Sequence, residues 1–284
     1  MILMCSIPGL ALNVETINQA EMATMDDDVP IWAVDNSWGY DITKISYQLN
    51  QSGENLRLDL TSDSILEIKV KNITATSYIL SISGKLDGTF SYDNGAGITL
   101  GGTLFFTRVS GNIKIRQADL AAEETKITIK TIAIIFDHPL FLPIPIPVPM
   151  EITINFNPDV PRPLIDFPLY DGKLGLISWI NLSTSIKAES IVLRILHILR
   201  RNIPSEISFD QVVEIPILLY TTTEDQINVG GTTYTAYDIE YYLGLIGFIY
   251  YAPLAGNIIK VSAGINTADI MLEFDGELKE TNYT

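Results

Sequence analysis

The chain has 284 residues, 47% of them apolar, so it can bury a sizeable core and does not read as disordered. Its 34 acidic residues outnumber 18 basic ones, a formal charge of −16 that argues against non-specific nucleic-acid binding, which needs a basic surface to displace counterions. One cysteine, Cys5, and two histidines, His138 and His197, exclude an intrachain disulfide, a thiolate cluster and a multi-histidine metal site, and no cofactor is implied.

Residues 1–13 read as the back half of a signal peptide: short, apolar and closing on small residues, although the positively charged start is missing. A short buried strand is the competing reading. Met4 is too large for a lipobox at Cys5. Residues 14–29 are polar and acidic, with Asp26-Asp27-Asp28 before Pro30, and predict a linker. Together these features predict export and an extracytoplasmic, secreted or cell-surface location. The sequons at Asn50, Asn72, Asn181 and Asn282 fit an external glycoprotein. No uncharged apolar run reaches about 18 residues, so no transmembrane helix is evident.

From Trp32 onward, short alternating runs are divided by turn residues. Leu66–Lys71, Ser77–Ser83 and Lys126–Ile132 alternate with period two, the pattern of half-buried strands. Asn94-Gly95 supplies the positive φ values of a hairpin turn. Gly101-Gly102 and Ser110-Gly111-Asn112 predict further turns or bulges. The sum is an antiparallel meander over about 37–137. Pro143, Pro145, Pro147 and Pro149 then fall at every second position and cannot donate to a ladder, which predicts an extended connector rather than a recruitment peptide.

A second unit begins near Pro163–Lys173, which echoes Val29–Trp38: proline, an apolar pair, two residues, then Asp with a turn former. The expected division is therefore 30–160 for a first β domain and 161–284 for a second. The fold class is mainly β, with two curved antiparallel sheets, the second carrying one amphipathic helix at 189–201. Ile191, Val192, Ile195, Leu196 and Leu199 form the stripe expected to pack, with Arg194 and His197 outward and Pro204 as the stop.

No residue set carries catalysis. There is no G-x-S-x-G and no phosphate loop, and neither histidine sits in a nucleophile motif. Glu224-Asp225, or Glu273 with Asp275 and Glu277, could in principle serve glycoside hydrolysis, but nothing separates them from solvated faces. The aromatic density near the end is more informative. Tyr237, Ile239 and Tyr241 share one strand face, with Tyr234 and Tyr242 on the other. With Phe248, Tyr250 and the helical Leu196 they form the candidate site for an apolar ligand in a sheet hollow. Cross-strand packing is the plain alternative.

Three segments carry a resemblance. Gly230-Gly231-Thr232-Thr233-Tyr234-Thr235-Ala236-Tyr237-Asp238-Ile239 is similar to a recurrent A-G-T-F-x-A-Y-x-I strand. Tyr250-Tyr251-Ala252-Pro253-Leu254-Ala255-Gly256-Asn257-Ile258-Ile259-Lys260 resembles a Y-Y-x-P-x-V-G-x-V-K strand pair. Trp38-Gly39-Tyr40-Asp41-Ile42 resembles an opening S-W-x-Y-x-I strand. These patterns resemble secreted archaeal and bacterial β-rich proteins, TapB-like and related to the half-barrel of lipoprotein carriers. Gly230 stands where that pattern has alanine. The resemblance implies fold and compartment and transfers no active site. It leaves two functions: a carrier of lipid or another apolar ligand, or a structural or adhesive envelope component whose partners are envelope proteins.

Overall fold

The computed structural model of the protein describes residues 29–137, 146–158, 160–199, 201, 205–267 and 269–283. The signal remnant, residues 14–28 of the linker, and Pro143 and Pro145 lie outside the described residues. The first half comprises β1 (Ser37–Gln51), β2 (Glu54–Ser62), β3 (Leu66–Ile73), β4 (Ser77–Asp93), β5 (Thr99–Arg116), β6 (Ala122–Asp137) and β7 (Ile146–Pro158). The second comprises β8 (Leu174–Glu189), the helix α1 (Ile191–Leu199), β9 (Glu206–Val229), β10 (Thr232–Leu243), β11 (Ile246–Ala252), β12 (Asn257–Asn266) and β13 (Ile270–Thr281).

All thirteen strands belong to one antiparallel sheet, and consecutive strands are neighbours from β4 to β13. β13 returns to pair with β1 from Trp38↔Thr281 to Leu49↔Ile270, so the sheet closes on itself. β2 and β3 share one place in the ring. Between β1 and β4, β2 fills the stretch next to Ile45–Gln51 and β3 the stretch next to Ser37–Tyr40. Closure removes the unpaired strand edges that an open sheet would expose.

The expectation of two separate sheets gives way here. The boundary at 160–161 falls in the β7–β8 connection, and β7 pairs with β8 from Glu151↔Glu189 to Pro158↔Leu182 inside the single sheet. Alternation alone cannot distinguish two curved sheets from two halves of one ring, because both bury one face of every strand.

The echo between the two halves has a backbone counterpart. Asp35 and Gly172 both adopt left-handed conformations, at φ 73° and 76°. Asp35 N–H donates to Val70 O and Val70 N–H to Asn36 O, at 2.9 and 2.8 Å. Gly172 N–H donates to Thr222 O and Thr222 N–H to Lys173 O, both at 2.9 Å. Each turn drops one apolar side chain, Trp32 or Leu169, into the core just before its strand begins.

Two apolar clusters make up the core. The larger runs from Leu49, Leu58 and Phe90 through Leu104, Ile129 and Ile152 to Tyr220, Tyr241 and Tyr251. The smaller gathers Trp32, Trp38, Tyr40 and Tyr78 with Tyr234, Ala236, Ala255 and Ile259. Ser110-Gly111-Asn112 is no turn but the interior of β5. A Cβ on Gly111 would lie 2.6 Å from Lys126 O, so glycine there permits close approach to β6.

α1 is shorter than the predicted 189–201 and does not bury the whole of the expected stripe. Leu193 is its core residue, while Ile191 and Ile195 are exposed. Its main contact is with β7, and Ile198 is exposed as well. The Leu196 side chain lies outside the described set.

Candidate functional site

The aromatic strands divide as the period-two reading requires, yet the buried face changes along β10, with Tyr234 and Ala236 buried at one end and Ile239 and Tyr241 at the other. β10 pairs with β9 without a register shift from Thr232 to Tyr241. Tyr234 and Ala236 belong to the smaller cluster, and Ile239 and Tyr241, on the opposite face, to the larger. Tyr237 packs partly buried against the larger cluster.

The face of Ile239 and Tyr241 is not open. Residues 164–170 of the same chain lie on it. Phe167 meets Tyr251 edge-on at 5.2 Å, and Tyr220 meets Tyr241 at 5.7 Å. Tyr220 OH donates to the Asp166 carboxylate at 3.1 Å, and Tyr241 OH donates to Leu164 O. Ile165 and Leu169 are buried in the same cluster. Lys173 holds the segment from below. Its ammonium donates to Asp166 O and, at 2.9 Å, to Pro168 O, and it lies 3.1 Å from the Asp166 carboxylate. Burial raises the pKa of the Tyr241 hydroxyl. Burial and then the Asp166 charge raise that of Tyr220.

Phe248 and Tyr250 point to the other face of β11. Their rings are 5.3 Å apart and nearly perpendicular. Phe248 lines an open depression with Ile246, Gly264, Lys44 and Glu273, the last two forming an exposed ion pair at 2.6 Å. Tyr250 packs against the smaller cluster and donates to Asp238. Its hydroxyl pKa is pushed up to about 12, by burial first and then by that bond. Burial also raises the Asp238 pKa, and Asp238 Oδ1 has no partner among the described residues. The structure thus brings Tyr237, Ile239 and Tyr241 together on one covered face and sets Phe248 and Tyr250 apart on another.

Two of the acidic candidates, Glu273 and Glu277, stand in ion pairs. Glu273 pairs with Lys44, and Lys279 bridges Glu277 and Asp41. Asp171 accepts from Glu224 N–H at 3.0 Å. Among the described residues no three His, Cys, Asp or Glu side chains converge as a metal site, and no helix is long and apolar enough to cross a membrane.

Of the three segments that carry the resemblance, Trp38–Ile42 is remote in sequence from the other two and meets them in space. Trp38 Nε1–H donates to Ala255 O at 2.7 Å, Trp32 Nε1–H to Gly256 O at 2.8 Å, and Tyr40 OH to Ile258 O at 2.9 Å. Tyr234 and Ala236 complete that cluster. A comparison with family models, with curated proteins and with solved structures finds no match.

Sequence reasoning missed the covering segment. Its signal was present: Leu164, Ile165, Phe167 and Leu169 are more apolar than a surface connector needs. What the sequence could not supply was the partner face.

Proposed function

We propose that the protein is a non-catalytic, extracytoplasmic structural or adhesive component of the cell envelope that works through its outer surface. The observation that carries this reading is the packing of residues 164–170 against Tyr220, Tyr241 and Tyr251. A carrier needs those rings to line a space; here the chain's own side chains occupy it. Closure of the sheet leaves partners to meet side chains rather than unpaired backbone. Leu176 and Leu243, both beside Leu219 and both more than half exposed, offer such contact area. An external location is supported by exposed Asn50 and Asn72 in their sequons and by the apolar start of the chain. The family resemblance rests on turn and packing residues, in keeping with a non-catalytic role.

A carrier of lipid or another apolar ligand is the second reading, and the open depression beside Phe248 and Ile246 is what favours it. Native mass spectrometry of protein purified from its own host separates the two. The structural reading expects the bare chain mass, with any excess accounted for by glycan. A stoichiometric bound lipid would restore the carrier.

A further inference from the structure

β5 carries a bulge that sets two phenylalanines on the outside of the ring. Between Phe105↔Ile132 and Arg108↔Lys130 the register of β5 with β6 shifts, and it shifts against β4 at the same height. Phe106 sits at φ 53° and is 81% exposed, with Phe105 and Ile132 exposed beside it. A bulky side chain in the left-handed region is unfavourable, and such a residue persists only where its surroundings enforce it.

The enforcement is visible beneath the bulge. Thr107 and Thr131 are polar side chains buried in an apolar core. Their hydroxyls are 2.9 Å apart, and Thr131 Oγ1 donates to Phe105 O at 3.1 Å. Thr107 donating to Thr131, and Thr131 to Phe105 O, uses both protons and gives the carbonyl at the bulge a donor. The outward projection of Phe106 is therefore braced from inside.

The surroundings say what an exposed ring meets. Lys85, Arg108 and Lys130 stand opposite one another on three adjacent strands, all exposed. Nearby acids are Asp63 and Asp87, both exposed, and Glu151, which pairs with Lys130 at 3.3 Å. Cations thus equal acids here, in a chain where acids outnumber cations 34 to 18. Apolar rings beside a row of long cationic side chains match a lipid–water interface: the rings enter the acyl boundary while Lys and Arg reach the phosphates.

We propose that the Phe105–Phe106 bulge docks the protein on a phospholipid surface. The proposal is independent of the filled Tyr241 face, so its failure would leave the structural reading standing. The test is co-sedimentation with vesicles of phosphatidylcholine, alone and mixed with phosphatidylglycerol. Wild type should partition onto one or both. Phe106→Gly accepts the same backbone conformation and should keep the urea midpoint of wild type, yet lose at least about tenfold in partitioning, equivalent to roughly 1.4 kcal/mol. Lys85→Glu with Arg108→Glu should weaken binding further as the phosphatidylglycerol share rises. Failure of wild type to bind either vesicle, or undiminished binding by folded Phe106→Gly, overturns the proposal.

Discussion

The two turns that lead into β1 and β8 share a backbone and differ in their anchors. At Asp35 and Gly172 the left-handed residue and the paired hydrogen bonds to Val70 and Thr222 are alike. The first turn is then fixed by large rings. Trp32 and Trp38 lie 5.0 Å apart, and each indole N–H reaches a carbonyl of residues 255–256. The second is fixed by polar donors: the Lys173 ammonium and the Tyr220 and Tyr241 hydroxyls, all directed at residues 164–168. A polypeptide segment laid across an aromatic face brings carbonyls with it, and each needs a donor once water is excluded.

The largest effect should come from the ring anchor. Trp38→Ala removes a fully buried indole and should cost about 3–5 kcal/mol in urea unfolding. Tyr241→Phe, at the polar anchor, removes only one hydrogen bond and should cost about 1 kcal/mol. Equal losses would mean that the anchors do not differ in kind.

Lys173→Met comes next. The thioether fills the space of the stem but leaves Asp166 O and Pro168 O without their donor, so about 1–3 kcal/mol should be lost. Faster proteolysis within 160–172 should accompany the loss. A variant as stable and as resistant as wild type would show that the ammonium does not secure the segment.

The shared backbone makes a smaller, symmetrical forecast. Asp35→Val and Gly172→Val each place a β-branched residue in the left-handed region, and each should cost about 1–2 kcal/mol. The exposed Asp35–Lys69 pair, at 2.8 Å, adds little to the first. Costs that differ by more than that pair can supply would break the equivalence of the two turns.

The smallest effect concerns Asp238, which sits on β10 where the buried face changes from one cluster to the other. Its pKa is raised by burial, so the carboxyl favours folding while protonated and loses that contribution as pH rises through its folded pKa. Asp238→Asn should match wild type in acid, below the ordinary aspartate range, and exceed it slightly, by less than about 1 kcal/mol, at neutral pH. Thermal melts of both proteins across that range would check it. A variant less stable at neutral pH would show that the charge is needed rather than tolerated.

Much of this molecule is legible in local pattern. Alternation at 66–71, 77–83 and 126–132 placed strands, because a half-buried strand must separate its faces every second residue. The echo at 29–38 and 163–173 located the two turns, because a chain entering a strand from the core needs an apolar plug followed by a tight turn. The sharing of a face by Tyr237, Ile239 and Tyr241 was also readable. What covers that face was not, since residues 164–170 reach it only through contacts some 50 to 80 positions away, as in Tyr220 with Asp166 and Tyr241 with Leu164.

The sequence by itself determined that the chain is an antiparallel β meander with a short echo at 29–38 and 163–173, without the residue patterns of familiar catalytic sites. Only the tertiary structure decided that the halves share one closed sheet, that the aromatic hollow is filled from within, and that Phe106 rather than Tyr241 meets the surroundings. The reason is physical. Period-two patterning records that a strand has a dry side, which is a local property. Which segment supplies the dryness depends on β13 finding β1 and on the β7–β8 connection finding the Tyr220–Tyr241 face, and no local period encodes either contact.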